Sequence, residues 1–319
     1  QTQYVDLGAQ LININEKSLL AISFKNDEKW HTYWKNPGDA GLAIKLKFYK
    51  NDKLIKLNAH PWPTPKRYIE KGNMWAYGYG GKYTMYFDVN QSINNSNLKI
   101  VGEWLVCKDI CIPGTRTINF KVDDNLSGGI NSQFSTKELE ENFHKLPIIT
   151  KKESPVKIFL NKGLEQNQLS LDYIIEDVDF SKVSTKANIL TPYHAFPFDY
   201  KHEYVYFDRK NKLIYGRMPI DWDGIYEDPI WEMPESGTFK KPLKAKFLIQ
   251  YPSDKNPLII TKTFSHFSLT GHKSISATLK NLELQGDSKN SDITTGNKQV
   301  SGSIWKYIFF AFLGGLILN

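Results

Sequence analysis

Along the first 122 residues, apolar and polar side chains alternate in short runs. Ile44-Lys-Leu-Lys-Phe48, within 43–49, is the clearest, and 18–24, 83–89, 98–106 and 117–122 repeat it. A period of two places alternate side chains on opposite faces of a strand. Gly, Pro and Asn between the runs mark turns, and this many short strands predict an antiparallel β-sandwich from about Val5 to Val122. The pattern then breaks. Ser135-Thr-Lys-Glu138 reads as a helix capping box, Leu139, Phe143 and Leu146 fall on one helix face, and Pro147 is the stop. From about Val156 the strand pattern returns, at 168–175, 186–190, 204–207, 212–217, 244–251 and 258–264, with Asp208-Arg-Lys-Asn211 as a hairpin turn. The two halves share an architecture but no convincing sequence repeat.

A length of 319 residues allows two domains, each with its own core. Hydrophobic residues at 40% and aromatic residues at 13% mark a globular chain rich in side chains that suit a pleated surface. The net charge of +7 comes mostly from Lys dispersed among 34 acids, so no dense basic stripe forms and no nucleic-acid partner is expected. Residues 285–303 change character. They are rich in Ser, Thr, Asn, Asp and Gly, lack aromatic residues, and read as a flexible tether. From Tyr307 to Leu318 the chain is apolar or small, shorter than the roughly 20 residues a membrane-spanning helix needs. It reads as the start of a transmembrane helix that is cut off at Asn319, or else as a buried terminal helix. The opening at Gln1 is consistent with a processed mature start. The expected organisation is a first sandwich at 1–126, a linker with a short helix at 127–150, a second sandwich at 151–284, the tether at 285–303 and the helix start at 304–319.

The chain has only 2 cysteines, in Trp104-Leu-Val-Cys-Lys-Asp-Ile-Cys-Ile-Pro-Gly114. One pair with no odd thiol fits an oxidising compartment. Cys107 closes a predicted strand and Cys111 precedes the next, so the two fall within disulfide reach across a turn. A disulfide spanning so short a loop stabilises little. It suits thiol exchange, which needs an exposed sulfur and a second sulfur close behind. Lys108 and Arg116 favour a thiolate while Asp109 opposes it. Three readings stay open on spacing alone: an exchange-active disulfide, an inert structural one, and a metal site. The last would need further ligands, such as His31 and His60, and no zinc-finger spacing is present. No cofactor is expected.

Two aromatic clusters accompany the pair: Trp30-His-Thr-Tyr-Trp-Lys-Asn-Pro-Gly38, and Met74-Trp-Ala-Tyr-Gly-Tyr-Gly-Gly-Lys82. Taken alone, each reads as core or turn. Gly78, Gly80 and Gly81 give the second cluster backbone freedom, so that an aromatic on a mobile loop would cover a reactive sulfur. Taken together, Trp30 to Leu42, Trp62-Pro-Thr-Pro65, Tyr77-Gly-Tyr79 and the cysteine run resemble the periplasmic N-terminal region of the DsbD family, and more closely its ScsB-type (suppressor of copper sensitivity) branch. Phe312-Leu-Gly-Gly-Leu-Ile-Leu-Asn319 resembles the start of that family's first transmembrane helix.

The resemblance implies an all-β chain of two tandem immunoglobulin-like sandwiches. These would face the periplasm, with residues 1–303 outside a bacterial inner membrane. It implies protein-disulfide reductase activity, an electron-transport role tied to cytochrome c biogenesis or copper tolerance. Reducing equivalents would pass from a membrane domain and a thioredoxin-like domain of a longer chain, through Cys107 and Cys111, to thioredoxin-fold periplasmic partners such as disulfide isomerases. By the same resemblance, Cys111 forms the mixed disulfide and Cys107 resolves it. Tyr79 is the covering aromatic with Tyr77 second, and His31, Tyr33 and Trp104 lie around the site. Two departures stand out. The better-known members separate their cysteines by more residues, and the acids beside the covering aromatic are replaced by Tyr77 and Gly78. The alternative is a non-catalytic periplasmic binding module, copper-related or not, with a structural disulfide.

Overall fold

A computed structural model describes residues 4–72, 74–150, 156–162, 169–182, 189–194, 203–220, 236–250, 256–268 and 293–295. The first domain is built from β1 (Val5–Ile14), β2 (Lys17–Asn26), β3 (His31–Gly38), β4 (Lys45–Lys50), β5 (Lys53–Ile55), β6 (Asn58–Ala59), β7 (Lys66–Glu70), β8 (Met74–Gly80), β9 (Lys82–Asp88), β10 (Asn97–Cys107), β11 (Cys111–Lys121) and β12 (Gly129–Ile130). They form two sheets, in the orders β12-β1-β2-β9-β6 and β5-β4-β10-β3-β8-β7, with β11 also paired to β10. The runs read as alternating all became strands. The two aromatic clusters also became strands, β3 and β8, rather than loops. Their alternation is invisible in the sequence because both faces of these strands are buried, as the unbroken burial from His31 to Trp34 shows.

The strand β10 organises the second sheet. It pairs with β11 from Asn97↔Lys121 to Cys107↔Cys111. Its other neighbours divide it: β4 pairs with Leu98 to Glu103, and β3 with Val106 and Cys107. The cysteine end of β10 is therefore held against the aromatic strand β3.

The helix α1 (Thr136–His144) starts with the expected capping box. Ser135 accepts from the Glu138 amide, and the Glu138 carboxylate accepts from the Ser135 amide. Leu139 and Leu146 are buried with Ile12, Ile14, Leu19, Ala21 and Tyr86, so the helix lies on the outer face of the first sheet. The following β13 (Ile148–Ile149) runs parallel to a strand of the second domain.

That domain contains β14 (Val156–Lys162), β15 (Leu169–Ile175), β16 (Leu190–Pro192), β17 (Tyr204–Asp208), β18 (Leu213–Ile220), β19 (Thr238–Ile249), β20 (Leu258–His266) and β21 (Ile293–Thr295). Its sheets run β13-β20-β19-β16 and β14-β15-β18-β17-β21. The β17–β18 hairpin turns at Asp208–Asn211 as expected, with the Asn211 amide donating to Asp208 Oδ1 at 3.0 Å. β21 lies inside the stretch read as a tether and adds an antiparallel edge strand to β17. The start of a membrane helix expected at 304–319 lies outside the described residues. Among the described residues, no helix is long and apolar enough to cross a membrane.

The second domain buries an ion pair. Arg217 donates from Nε and Nη2 to the two carboxylate oxygens of Asp172, each at 2.8 Å, and Asn161 Nδ2 adds a third bond at 2.7 Å. Asp172 is 0% exposed, so losing its cation strands a charge in the core. Arg217→Met is expected to cost about 3–5 kcal/mol in denaturant unfolding; a loss below about 1 kcal/mol would contradict the arrangement. Burial also raises the phenols of Tyr79, Tyr83 and Tyr173 well above the ordinary tyrosine value. The unfolded chain loses those protons near pH 10 while the folded chain keeps them. Stability is therefore full below about pH 10 and falls as pH rises above it. Denaturant midpoints that stay level between about pH 9 and 11 would refute this.

Candidate functional site

Cys107 and Cys111 face each other at the tip of the β10–β11 hairpin, across the loop Lys108-Asp-Ile110. Their sulfurs are bonded, and their Cα atoms lie 4.2 Å apart. The chain-entropy model gives a loop this short only about 2 kcal/mol of stabilisation. The hairpin ladder already brings the two strands together, so the bond has little structural work to do.

The burial of the two cysteines differs sharply. On β10 the even-numbered residues from Leu98 to Val106 are buried between the sheets, and the odd-numbered ones point outward and are partly exposed. Cys107 belongs to the outward series, yet its exposure is 0%. Cys111 is exposed. The pair thus offers one cysteine to solvent and keeps the other covered.

The cover comes from neighbouring strands. Cys107 pairs with His31 on β3, His31 with Gly80 and Tyr33 with Gly78 on β8, and Ala76 with Tyr68 on β7. All these residues share the outward face of the sheet. Gly80 leaves room for Tyr68, since a Cβ there would lie 2.9 Å from the Tyr68 hydroxyl, and Gly78 lets β8 pack close to β3, since a Cβ there would lie 2.1 Å from the Thr32 carbonyl oxygen. Tyr33, Ala76 and Cys107 are fully buried as one cluster, with Tyr68 and Leu105 packed against it. Gly41, at φ +99°, crosses over Tyr33 so closely that a Cβ there would lie 2.2 Å from the ring.

Polar groups complete the site. The Tyr33 hydroxyl donates to Glu70 Oε1 at 3.0 Å and lies 3.7 Å from Cys111 Sγ. His31 Nε2 lies 2.6 Å from the same carboxylate oxygen, and the His31 ring stacks on Tyr68 with centroids 4.2 Å apart. The His31 and Glu70 side chains are 7% and 10% exposed, so this carboxylate depends on its hydrogen bonds for solvation. Burial, followed by the Glu70 charge, pushes the Tyr33 phenol well above its ordinary value and keeps it a protonated donor.

The residues expected around the disulfide divide by face. His31 and Tyr33 are in contact with the site. Tyr79 and Tyr77 are not, because odd-numbered β8 side chains point into the core between the sheets. Tyr79 stacks on Tyr83 at 4.3 Å and donates to the Pro63 carbonyl at 2.7 Å. Tyr77 meets Trp34 edge-on at 6.4 Å. The covering position expected for Tyr79 is filled by Tyr33 and Tyr68 instead, a difference of one residue in strand phase. Trp104 is likewise in the core, edge-on to Phe24 at 6.1 Å. Arg116 pairs with Asp6 at 3.2 Å instead of serving the cysteines. Tyr68 and Glu70 were missed altogether. Their signal was the hairpin around Gly72, at φ +88°, which carries Tyr68 and Glu70 on one face beside Ala76 and Met74. Among the described residues, no group of three His, Cys, Asp or Glu side chains is placed to hold a metal ion. The arrangement's chemistry is that of a disulfide with one accessible end.

Residues 8–122 match the family model described as "Thiol:disulfide interchange protein DsbD, N-terminal". No curated protein matches the chain significantly. Among solved structures, the chain is similar to the N-terminal periplasmic domain of ScsB from Proteus mirabilis. The TM-score is 0.53 at 18% identity, covering 83% of this chain and 94% of that one. The N-terminal domain of Neisseria meningitidis DsbD in its reduced form also aligns, at a TM-score of 0.25 and 12% identity, over 40% of this chain and 90% of that one. The ScsB likeness extends across both sandwiches and agrees with the tandem immunoglobulin-like architecture. Residues 8–122, with Cys107 and Cys111 at the tip of their longest hairpin, are thus similar to the N-terminal domain of the DsbD family.

Proposed function

We propose that this chain carries out dithiol–disulfide exchange through Cys107 and Cys111, as the periplasmic part of a membrane protein-disulfide reductase. The observation that carries the reading is the unequal burial of the pair: Cys111 exposed, Cys107 at 0% exposure. Exchange needs an attackable sulfur and a protected one that resolves the intermediate.

In the loading step, a donor thiolate attacks Cys111 Sγ. The Cys107–Cys111 bond breaks, and Cys107 leaves with the electron pair and takes up a proton. The donor's second thiolate then attacks its own sulfur in the mixed disulfide and frees Cys111, so two electrons have entered. In the delivery step, the Cys111 thiolate attacks a partner disulfide and expels one partner thiolate. Cys107, deprotonated, attacks Cys111 Sγ, reforms the bond and releases the partner as a dithiol. Tyr33 and Tyr68 shield Cys107 between encounters. The Tyr33 hydroxyl, which donates to Glu70 at rest and lies beside Cys111 Sγ, turns its proton to sulfur charge that develops there. The donor is a membrane electron-transfer domain with a thioredoxin-like domain, and the recipients are thioredoxin-fold periplasmic proteins resembling disulfide isomerases. The domain match and the ScsB-like fold support this setting. The second sandwich contains no cysteine, so it contributes by holding or orienting.

The test is trapping. Reduced Cys107→Ser protein, mixed with an oxidised thioredoxin-fold protein, should accumulate a mixed disulfide through Cys111 on non-reducing gels. Cys111→Ser should trap little, because the remaining sulfur is covered. If neither variant traps a partner, or if both trap equally, the assigned roles are wrong.

A further inference from the structure

The strands that cover the disulfide also bind the second domain, through other side chains of the same strands. On β3, Tyr33 faces the disulfide while its neighbour Trp34 turns inward and meets Tyr193 of the second domain edge-on at 5.2 Å. Lys35 Nζ lies 4.1 Å from the centre of the same Tyr193 ring. Asn36, 3% exposed, donates from Nδ2 to the carbonyls of Pro192 at 2.8 Å and His194 at 3.0 Å. On β7, Tyr68 and Glu70 flank the disulfide, and Arg67 beside them pairs with Glu203 of the second domain. Those two side chains are 8% and 6% exposed. The Arg67 guanidinium also lies 5.1 Å from the Trp75 ring.

The need for these contacts is local. The β3–β8 ladder loses register between Tyr33 and Gly38, so β8 does not fix the stretch that follows Tyr33. The bonds from Asn36 to 192 and 194 hold it from the other side. A buried amide with two acceptors and a buried ion pair are costly to disrupt singly, since each leaves a polar partner unsatisfied. They therefore act as fixed points.

We propose that the second domain is a clamp on the redox site. Through Asn36 on β3 and Arg67 on β7, it sets how closely Tyr33, Tyr68 and Glu70 cover Cys107, and these two are positioning residues for exchange. The role rests on the exchange reading above, but its readout is the disulfide itself. With the clamp intact, Cys107 leaves as a thiolate in a dry, covered site. When the clamp is loosened, water reaches that leaving group and the bond opens faster.

The experiment is the rate at which dithiothreitol reduces the disulfide in the whole chain, for Asn36→Ala and, separately, Glu203→Gln. Each should accelerate reduction about tenfold, the rate equivalent of roughly one lost hydrogen bond. Leu139→Ala, in the helix on the opposite sheet, should lower stability and leave the rate unchanged, which separates positioning from general weakening. In a Tyr33→Ala background the ring that Asn36 positions is already gone, so adding Asn36→Ala should have no further effect. The clamp is overturned by unchanged rates in the variants that fold. It is equally overturned by acceleration of the same size in Leu139→Ala, or by an Asn36→Ala effect that persists without Tyr33. If Glu203→Gln does not fold, Asn36→Ala decides alone. Faster reduction in Asn36→Ala without partner trapping by Cys107→Ser would remove the exchange reading and leave the clamp; trapping with unchanged rates would do the reverse.

Discussion

Cys107 occupies an outward-facing strand position and is nevertheless completely buried, and the rest of the site follows from that packing. A sheet face turned away from the core is ordinarily wet. Here Tyr33 and Tyr68 pack over it with Ala76 and Cys107, and Gly80 on the neighbouring strand leaves room for Tyr68. The same rings leave Cys111 open. The asymmetry between the two sulfurs therefore comes from ring packing, and the short loop between them only brings them into bonding range.

Burying that face obliges the structure to satisfy its polar groups. Tyr33 and His31 both direct polar atoms at Glu70 Oε1, which lets a carboxylate remain beside an apolar cluster. Covering strands must also be held in place, and a strand alternates its side chains. Trp34 and Arg67, next to the covering residues, end on Tyr193 and Glu203, and Asn36 further along β3 ends on the carbonyls of Pro192 and His194. The second domain, lacking any cysteine of its own, gains a chemical consequence through this geometry.

Period-two alternation was enough to read β4, β10 and β11 from the sequence, because each has one wet face or one polar series; β2 and β9 were also read as strands, although both of their faces are buried. The capping box at Ser135 and Glu138 was legible for a similar reason: its chemistry is local. The aromatic strands were not legible. His31 to Trp34 and Trp75 to Tyr79 are buried on both faces, so no polar series marks their phase. That missing phase sent the covering role to Tyr79 instead of Tyr33 and hid Glu70, which reaches the site only through the β7–β8 hairpin. The cysteines themselves were legible because they are the only pair in the chain.

The central claim is that Cys107–Cys111 is an exchangeable bond rather than a structural staple. Equilibrating the chain in thiol–disulfide buffers of graded potential, and quantifying free thiols by alkylation, tests it directly. The account predicts a reduction midpoint above about −300 mV, within reach of biological dithiols. A pair that stays oxidised well below that value would identify the bond as structural and contradict the account.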